Sequence, residues 1–407
     1  MKKLTGILLA LCIFAAAGGV PASAAFSVTP AIAAGANHSV ALAGDGTVWA
    51  WGDNEKGQLG DDSTHRRLAP VQVKDFFDVV AVAAGRTHSV ALKNDGTVWA
   101  WGQNELGQLG DGTTSSRALP VQVQGLEGVI AVASHDTHTL ALRGDGTVWA
   151  WGDNGRGQLG NGTWVSHSAV PVQTQGLANM SAVAAGWGHS LALREDGTVW
   201  AWGCLLHGSP LAQHTQSCAI PQQIEIANVT AIAAGGTAGA ALCADGTVWI
   251  WQAADPIPVQ VPALGGVKAI AVGVNHVLAL KTDGTLWAWG DNKSGQLGDG
   301  TTEDSDVPVQ LPEFTNVTAI AAHGHSVAIK SDGVVWAWGS NINGQLGNGS
   351  IGTAQYAATP GPVLCPFQRG LLKDNVLNLF DTHPWWRNCH PFFQFILRWF
   401  LFGWLWM

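Results

Sequence analysis

The stretch His88-Ser-Val-Ala-Leu-Lys-Asn-Asp-Gly-Thr-Val-Trp-Ala-Trp-Gly102 decides how this chain folds. Its first half alternates: His88, Val90 and Leu92 point to one side, and Ser89, Ala91 and Lys93 to the other. Asp95-Gly96 interrupts the run, and Val98-Trp99-Ala100-Trp101 resumes a strand pattern. Asp-Gly between two such segments predicts a β-hairpin closed by a type I′ turn, whose positive φ glycine adopts without strain. The same stretch occurs seven times, with the turn at Asp45, Asp95, Asp145, Asp196, Asp245, Asp283 and Asp332. Each turn is followed by Trp-x-Trp, which accounts for 14 of the 21 tryptophans.

A repeat period near 50 residues with several short strands predicts propeller blades. In the second repeat, Val79–Ala84 reads as a first strand and Gly85-Arg86-Thr87 as the first connection. The hairpin supplies strands two and three. A polar connection containing Gly107-Gln108-Leu109-Gly110 leads to Pro120-Val121-Gln122-Val123, the fourth. The predicted architecture is all-β: seven blades of four antiparallel strands across residues 25–365. The chain starts at a first-type strand and ends, at Thr359–Leu364, with a fourth-type strand, so the two ends are expected to close the ring.

The recurring Gly-x-x-His-Ser-x-Ala-Leu, Asp-Gly-Thr-Val-Trp-Ala-Trp-Gly-x-Asn and Gly-Gln-Leu-Gly motifs resemble RCC1 repeats in their bacterial form, over residues 30–364. The resemblance implies a seven-bladed β-propeller, in agreement with the count. It leaves function open, because the family's functions diverge. Relatives include a secreted bacterial inhibitor of β-lactamases, a eukaryotic guanine-nucleotide exchange factor that binds chromatin, and a plant ultraviolet-B receptor.

Residues 1–24 read as a secretory signal peptide: Lys2-Lys3, an apolar Leu8–Ala17, and the cleavage motif Ala22-Ser23-Ala24. The mature chain keeps 18 basic and 29 acidic residues, a balance that argues against nucleic acid as a partner. Five cysteines remain; Cys204 and Cys218 bracket a divergent loop in repeat four and are the expected disulfide. Repeat five drops the Gly-Gln-Leu-Gly loop and has Ala238 where the other six repeats have His. Residues 366–407 lose the repeat and turn rich in Trp and Phe; their longest apolar run, 17 residues interrupted by Gln394 and Arg398, is short for a membrane span.

Six histidines, His38, His88, His138, His189, His276 and His325, stand one per repeat, too dispersed for one metal. They read as imidazoles bonded to a neighbouring turn. The Trp pairs read as core, both members packing the next blade. The Asp-Gly turns lack calcium-loop spacing, and no catalytic constellation stands out from the repeat. The expectation is therefore a secreted, monomeric, non-enzymatic binding platform without cofactor or metal, whose partner is an extracellular or periplasmic protein or envelope ligand. Exchange-factor activity and an extracellular hydrolase or lyase are the alternatives. Connections one and three of an antiparallel meander fall on one face. Trp164, Trp187, Leu205, Leu206 and His207 are therefore the candidate partner-binding residues.

Overall fold

The computed structural model describes residues 27–203, 219–252, 255–312, 314–353 and 355–365. These form seven four-stranded antiparallel sheets, each contiguous in sequence: 31–72, 79–122, 129–173, 180–224, 229–260, 267–310 and 317–362, here blades 1 to 7. Blade 2 has strands Val79–Ala84, His88–Lys93, Val98–Gly102 and Arg117–Gln122. The propeller expectation holds, with two differences of detail. Ring closure comes from blade 7 packing on blade 1, each sheet being complete within its own repeat. In addition, the Asp-Gly turns are not type I′: Gly46 has φ +80° while Asp45 does not enter the left-handed region. Gly46 N–H donates to the Ala43 carbonyl and Ala43 N–H to that of Thr47, a type I turn followed by a glycine bulge. Asp45 Oδ1 fixes it by accepting from Thr47 N–H and Oγ1–H at 3.0 and 2.6 Å.

The turns identify the faces. Val129 N–H donates to the Gly96 carbonyl at 3.2 Å and Met180 N–H to that of Gly146 at 3.1 Å, so Asp-Gly turns meet the blade-to-blade links. Connections one and three lie on the opposite face, where the Arg156 guanidinium (connection three, blade 3) covers the Trp187 ring (connection one, blade 4) at 5.1 Å.

One polar cluster repeats between blades. Trp101 Nε1–H and Ser89 Oγ–H, both of blade 2, donate to the Gln58 carbonyl of blade 1 at 2.9 and 2.8 Å. His38 Nε2, also of blade 1, sits 3.0 Å from Ser89 Oγ. The hydroxyl has a single proton and spends it on the carbonyl, so the imidazole must donate, which leaves Nδ1 bare. Indeed the Nδ1 atoms of His38, His88, His138 and His325 have no hydrogen-bond partner among the described residues. The Gln58 carbonyl is presented by a loop that Asn54 organises. Asn54 Oδ1 accepts from Leu59 N–H at 2.9 Å and Nδ2–H donates to the carbonyls of Ser63 and His65. The loop also buries Leu59 completely. This explains why Asn, Gln and Leu recur at fixed spacing.

The cluster recurs where blades 2 and 3, 3 and 4, 6 and 7, and 7 and 1 meet, on the carbonyls of Gln108, Gln158, Gln296 and Gln345. The His–hydroxyl pairs there are His88–Thr139, His138–Ser190, His276–Ser326 and His325–Ser39. The last of these, together with Ser39 and Trp51 donating to Gln345, closes the ring. The strand histidines thus bond to the next blade's hydroxyl rather than to a turn. The second Trp of each pair packs on the preceding blade, not the next: Trp101 lies among Val40, Leu42, Ala50 and Leu59 of blade 1. The first Trp is half-buried; Trp99 Nε1–H, for instance, donates to the Thr97 hydroxyl of its own turn at 3.1 Å.

The cluster fails twice, on either side of blade 5. His189 faces Gly239, and its ring nitrogens make no hydrogen bond of normal geometry among the described residues, although the Ala238 and Trp187 backbone lies near. Trp251 Nε1–H has no acceptor there either. Its indole has moved over Gly239, where an added Cβ would stand 2.3 Å from the ring. Between blades 5 and 6, Ala238 faces Val277, and histidine, hydroxyl and loop are all missing.

Removing a cluster's indole should be severe. Trp101→Ala should lower stability by about 3–5 kcal/mol in denaturant titration, because it opens a cavity and strips one donor from the Gln58 carbonyl. Acid should be the ring's weakness. Burial holds His38, His88, His138, His276 and His325 down to about 3 and His189 and His323 to about 4, with His135 well below its usual value. The unfolded chain binds these protons near pH 6.5, so stability is full above that value and is lost as pH falls towards 3 to 4. A group that takes up its proton only on unfolding costs the fold about 1.4 kcal/mol per pH unit between its two pKa values, and several such groups act in the same direction. Circular dichroism should show steep unfolding beginning below pH 6; an unchanged melting temperature down to pH 4.5 would contradict this.

Candidate functional site

The first connections do more than join strands. Ala36 N–H donates to the Arg86 carbonyl, Arg86 N–H to Asp136, Trp187 N–H to Gly236 and Val274 N–H to His323, at 3.3, 2.8, 2.7 and 3.0 Å. Turns of successive blades are thereby laced around the ring's axis. They surround a cavity of about 280 Å³ to which every blade contributes: Ala36, Arg86, Asp136, Trp187, Gly236, Val274 and His323 in blade order.

Two residues break the repeat here. The first connection normally opens on glycine because the ring of the strand histidine lies against it; at Gly85 an added Cβ would stand 2.2 Å from His88 Cε1. Blade 3 has His135 at this position. Blade 7 has His323, in a turn one residue shorter. The two imidazoles, from opposite sides of the ring, stack with centroids 4.2 Å apart and planes 13° from parallel. Both are buried. Gly236 N–H approaches His135 Nε2 at 3.4 Å, while His135 Nδ1 and both nitrogens of His323 have no partner among the described residues. Burial, reinforced at His135 by the neighbouring histidines and at His323 by the Arg86 charge, keeps the pair neutral at pH 7.

An ion pair stands at the rim of this plug. Arg86 and Asp136 approach to 3.8 Å, with the guanidinium largely in solvent and the carboxylate sheltered. Burial raises the Asp136 pKa, against the opposing pull of Arg86. Trp187 is 44% exposed, and its ring is held flat under Arg156. The mouth therefore offers an aromatic plane, one partly exposed cation and a sheltered carboxylate. This is chemistry suited to recognition. Among the described residues no group of three or more His, Cys, Asp or Glu could hold a metal, and no helix is long and apolar enough to cross a membrane.

Of the residues singled out from sequence, Trp187 lines the mouth. Trp164 does not: it is 37% exposed on the third connection of blade 3, in a loop that Asn154 pins by donating to the Thr163 carbonyl at 3.1 Å. Cys204, Leu205, Leu206, His207 and Cys218 lie outside the described residues, as does 366–407. Cys243 and Cys365 are free thiols. Sequence reasoning missed His135, His323, Arg86 and Asp136. A signal was present, since His135 and His323 replace a glycine of the repeat.

Comparisons with known proteins agree with this architecture. The family model described as an RCC1-like domain matches residues 77–376, and RCC1-repeat models match 45–92 and 31–58. No curated protein matches the chain. Among solved structures it is similar to Prp20p from Saccharomyces cerevisiae, studied for its binding to Gsp1p and histones. That likeness has 22% identity and a TM-score of 0.71, over 80% of this chain and 87% of that one. It is also similar to human WBSCR16, with 26% identity and a TM-score of 0.63, over 72% and 84% of the two chains. A structure of Kap60 bound to yeast RCC1 (Prp20) gives 20% identity and a TM-score of 0.69, over 90% and 92%. With seven repeats, seven four-stranded blades and a family model covering most of its length, the chain belongs to the RCC1-repeat family.

Proposed function

We propose that the mature protein is a secreted, non-enzymatic binding platform whose protein or envelope ligand docks on the face carrying connections one and three. The observation that carries this is the axial mouth, where an exposed Trp187 stands beside Arg86 and Asp136 over a cavity to which all seven blades contribute. Aromatic side chains held rigidly in partly desolvated surroundings are the usual anchors of an interface. The Arg156 guanidinium fixes the Trp187 ring in advance and lowers the entropy cost of binding. Trp164, on the same face, would extend the contact outward, with the divergent stretch at Leu205, Leu206 and His207 next to it in sequence order. The reading of residues 1–24 as a leader supports export and places the partner outside the cytoplasm. A Cys204–Cys218 disulfide would suit that compartment.

Affinity capture by the mature ring, with mass spectrometry, would identify the partner. Trp187→Ala and Trp164→Ala, made singly, should each weaken that complex by about 1–3 kcal/mol while moving the melting temperature little. Substitutions at Asp95 and Asp145, on the opposite face, should leave binding intact. Binding that survives both Trp changes and is lost at the Asp-Gly face would refute the assignment. Export can be read separately: N-terminal sequencing of the exported product should begin at Ala25.

A further inference from the structure

At five places where neighbouring blades meet, the gap is filled by the leading blade's Gly-Gln-Leu-Gly loop. Its Leu is buried to 2% exposure or less, at Leu59, Leu109, Leu159, Leu297 and Leu346. Its Gln carbonyl receives the next blade's indole and hydroxyl. Between blades 5 and 6 nothing equivalent exists among the described residues. Blade 5 passes from strand Val248–Gln252 almost directly to strand Asp255–Gln260, Ala238 replaces histidine, and Val277 replaces the hydroxyl. These three losses leave a cavity of about 480 Å³.

Its walls match what is missing. Trp289 lines it and, at 5%, is the most exposed of the seven second tryptophans. Its indole N–H finds no acceptor among the described residues, whereas the indoles of Trp51, Trp101, Trp151, Trp202 and Trp338 each donate to a Gln carbonyl. Ile250 and Val277 supply apolar wall. Asp291, Asp304 and Asp306 line the cavity too; among the described residues only Asp304 is in an ion pair, with Lys293 at 3.1 Å.

We infer that this slot is a docking site for a loop of a partner protein whose apex presents a free backbone carbonyl and an aliphatic side chain, flanked by Lys or Arg. The ring itself supplies the template five times over: a carbonyl for the Trp289 N–H and a Leu-like side chain against Ile250 and Val277. Asp291 and Asp306, in no ion pair among the described residues, set the charge of the flank. The slot adjoins the axial mouth through Val274, which lines both, but its reading stands independently of the mouth.

The test titrates full-length protein with an acetylated, amidated peptide copying Lys56–Gly60 of its own loop, followed by calorimetry. Saturable binding is expected, weakened more than tenfold when the peptide's Leu becomes Ser and unchanged in Trp187→Ala. Ala238→His with Val277→Ser refills the slot and should also weaken binding more than tenfold. If that variant misfolds, Asp291→Asn with Asp306→Asn should reduce affinity for the Lys-bearing peptide and flatten its salt dependence. Absence of saturable binding, or equal binding by the slot variants, would overturn the proposal. Self-association of the protein that the peptide abolishes would overturn it too, by assigning the slot to a second copy. Loss of binding in Trp187→Ala alone would instead move the peptide site to the mouth.

Discussion

The ring depends on one shared acceptor, the backbone carbonyl of Gln in the Gly-Gln-Leu-Gly loop. It receives an indole N–H and a hydroxyl from the following blade, and that hydroxyl in turn accepts from the preceding blade's imidazole. A buried carbonyl, hydroxyl, indole and imidazole would each be costly alone, about 1–3 kcal/mol apiece when unsatisfied. Together they satisfy one another and fix the angle between blades. Sheet-to-sheet packing of Val, Ala and Leu supplies area but little specificity, so the polar cluster is what sets blade position. It also demands neutral imidazoles, because the bare Nδ1 has nowhere to place a second proton.

Blade 5 departs from this arrangement on both sides, and its departures are mutually adjusted. Gly239 makes room for the displaced Trp251 indole, and Val277 presents no hydroxyl where no carbonyl could receive it. His189 remains as the one strand histidine with no hydroxyl opposite. Both proposed contact regions lie in the same sector. Trp187 belongs to blade 4 and the empty slot follows blade 5, so the asymmetric part of the ring carries both the exposed aromatic and the unfilled cavity.

Much of this was legible in the sequence. Asp-Gly and Trp-x-Trp gave blade count and strand order, because turn chemistry and strand alternation are local. Face assignment also followed, since alternation of connections is topological, and it correctly placed Trp187 with the third connections. What was not legible depended on contacts far apart in the chain. His38 meets Ser89, 51 residues away, and His135 meets His323 across the axis; no local pattern reports either. The turn type was misread because Asp-Gly serves both type I′ turns and type I turns with a glycine bulge, and the two differ in strand register, here Leu42 opposite Val48. The direction in which the buried Trp packs was inverted for a similar reason: alternation says that a face is buried, not against which neighbour.

Native-state hydrogen exchange resolved by blade tests the claim that the carbonyl-centred cluster holds the ring together. Amides of strands Val229–Gly235 and Ala238–Cys243 should exchange through openings of lower free energy than those of Val79–Ala84 and His88–Lys93, whose clusters are complete. Uniform protection around all seven blades, or first opening where blade 7 meets blade 1, would contradict it.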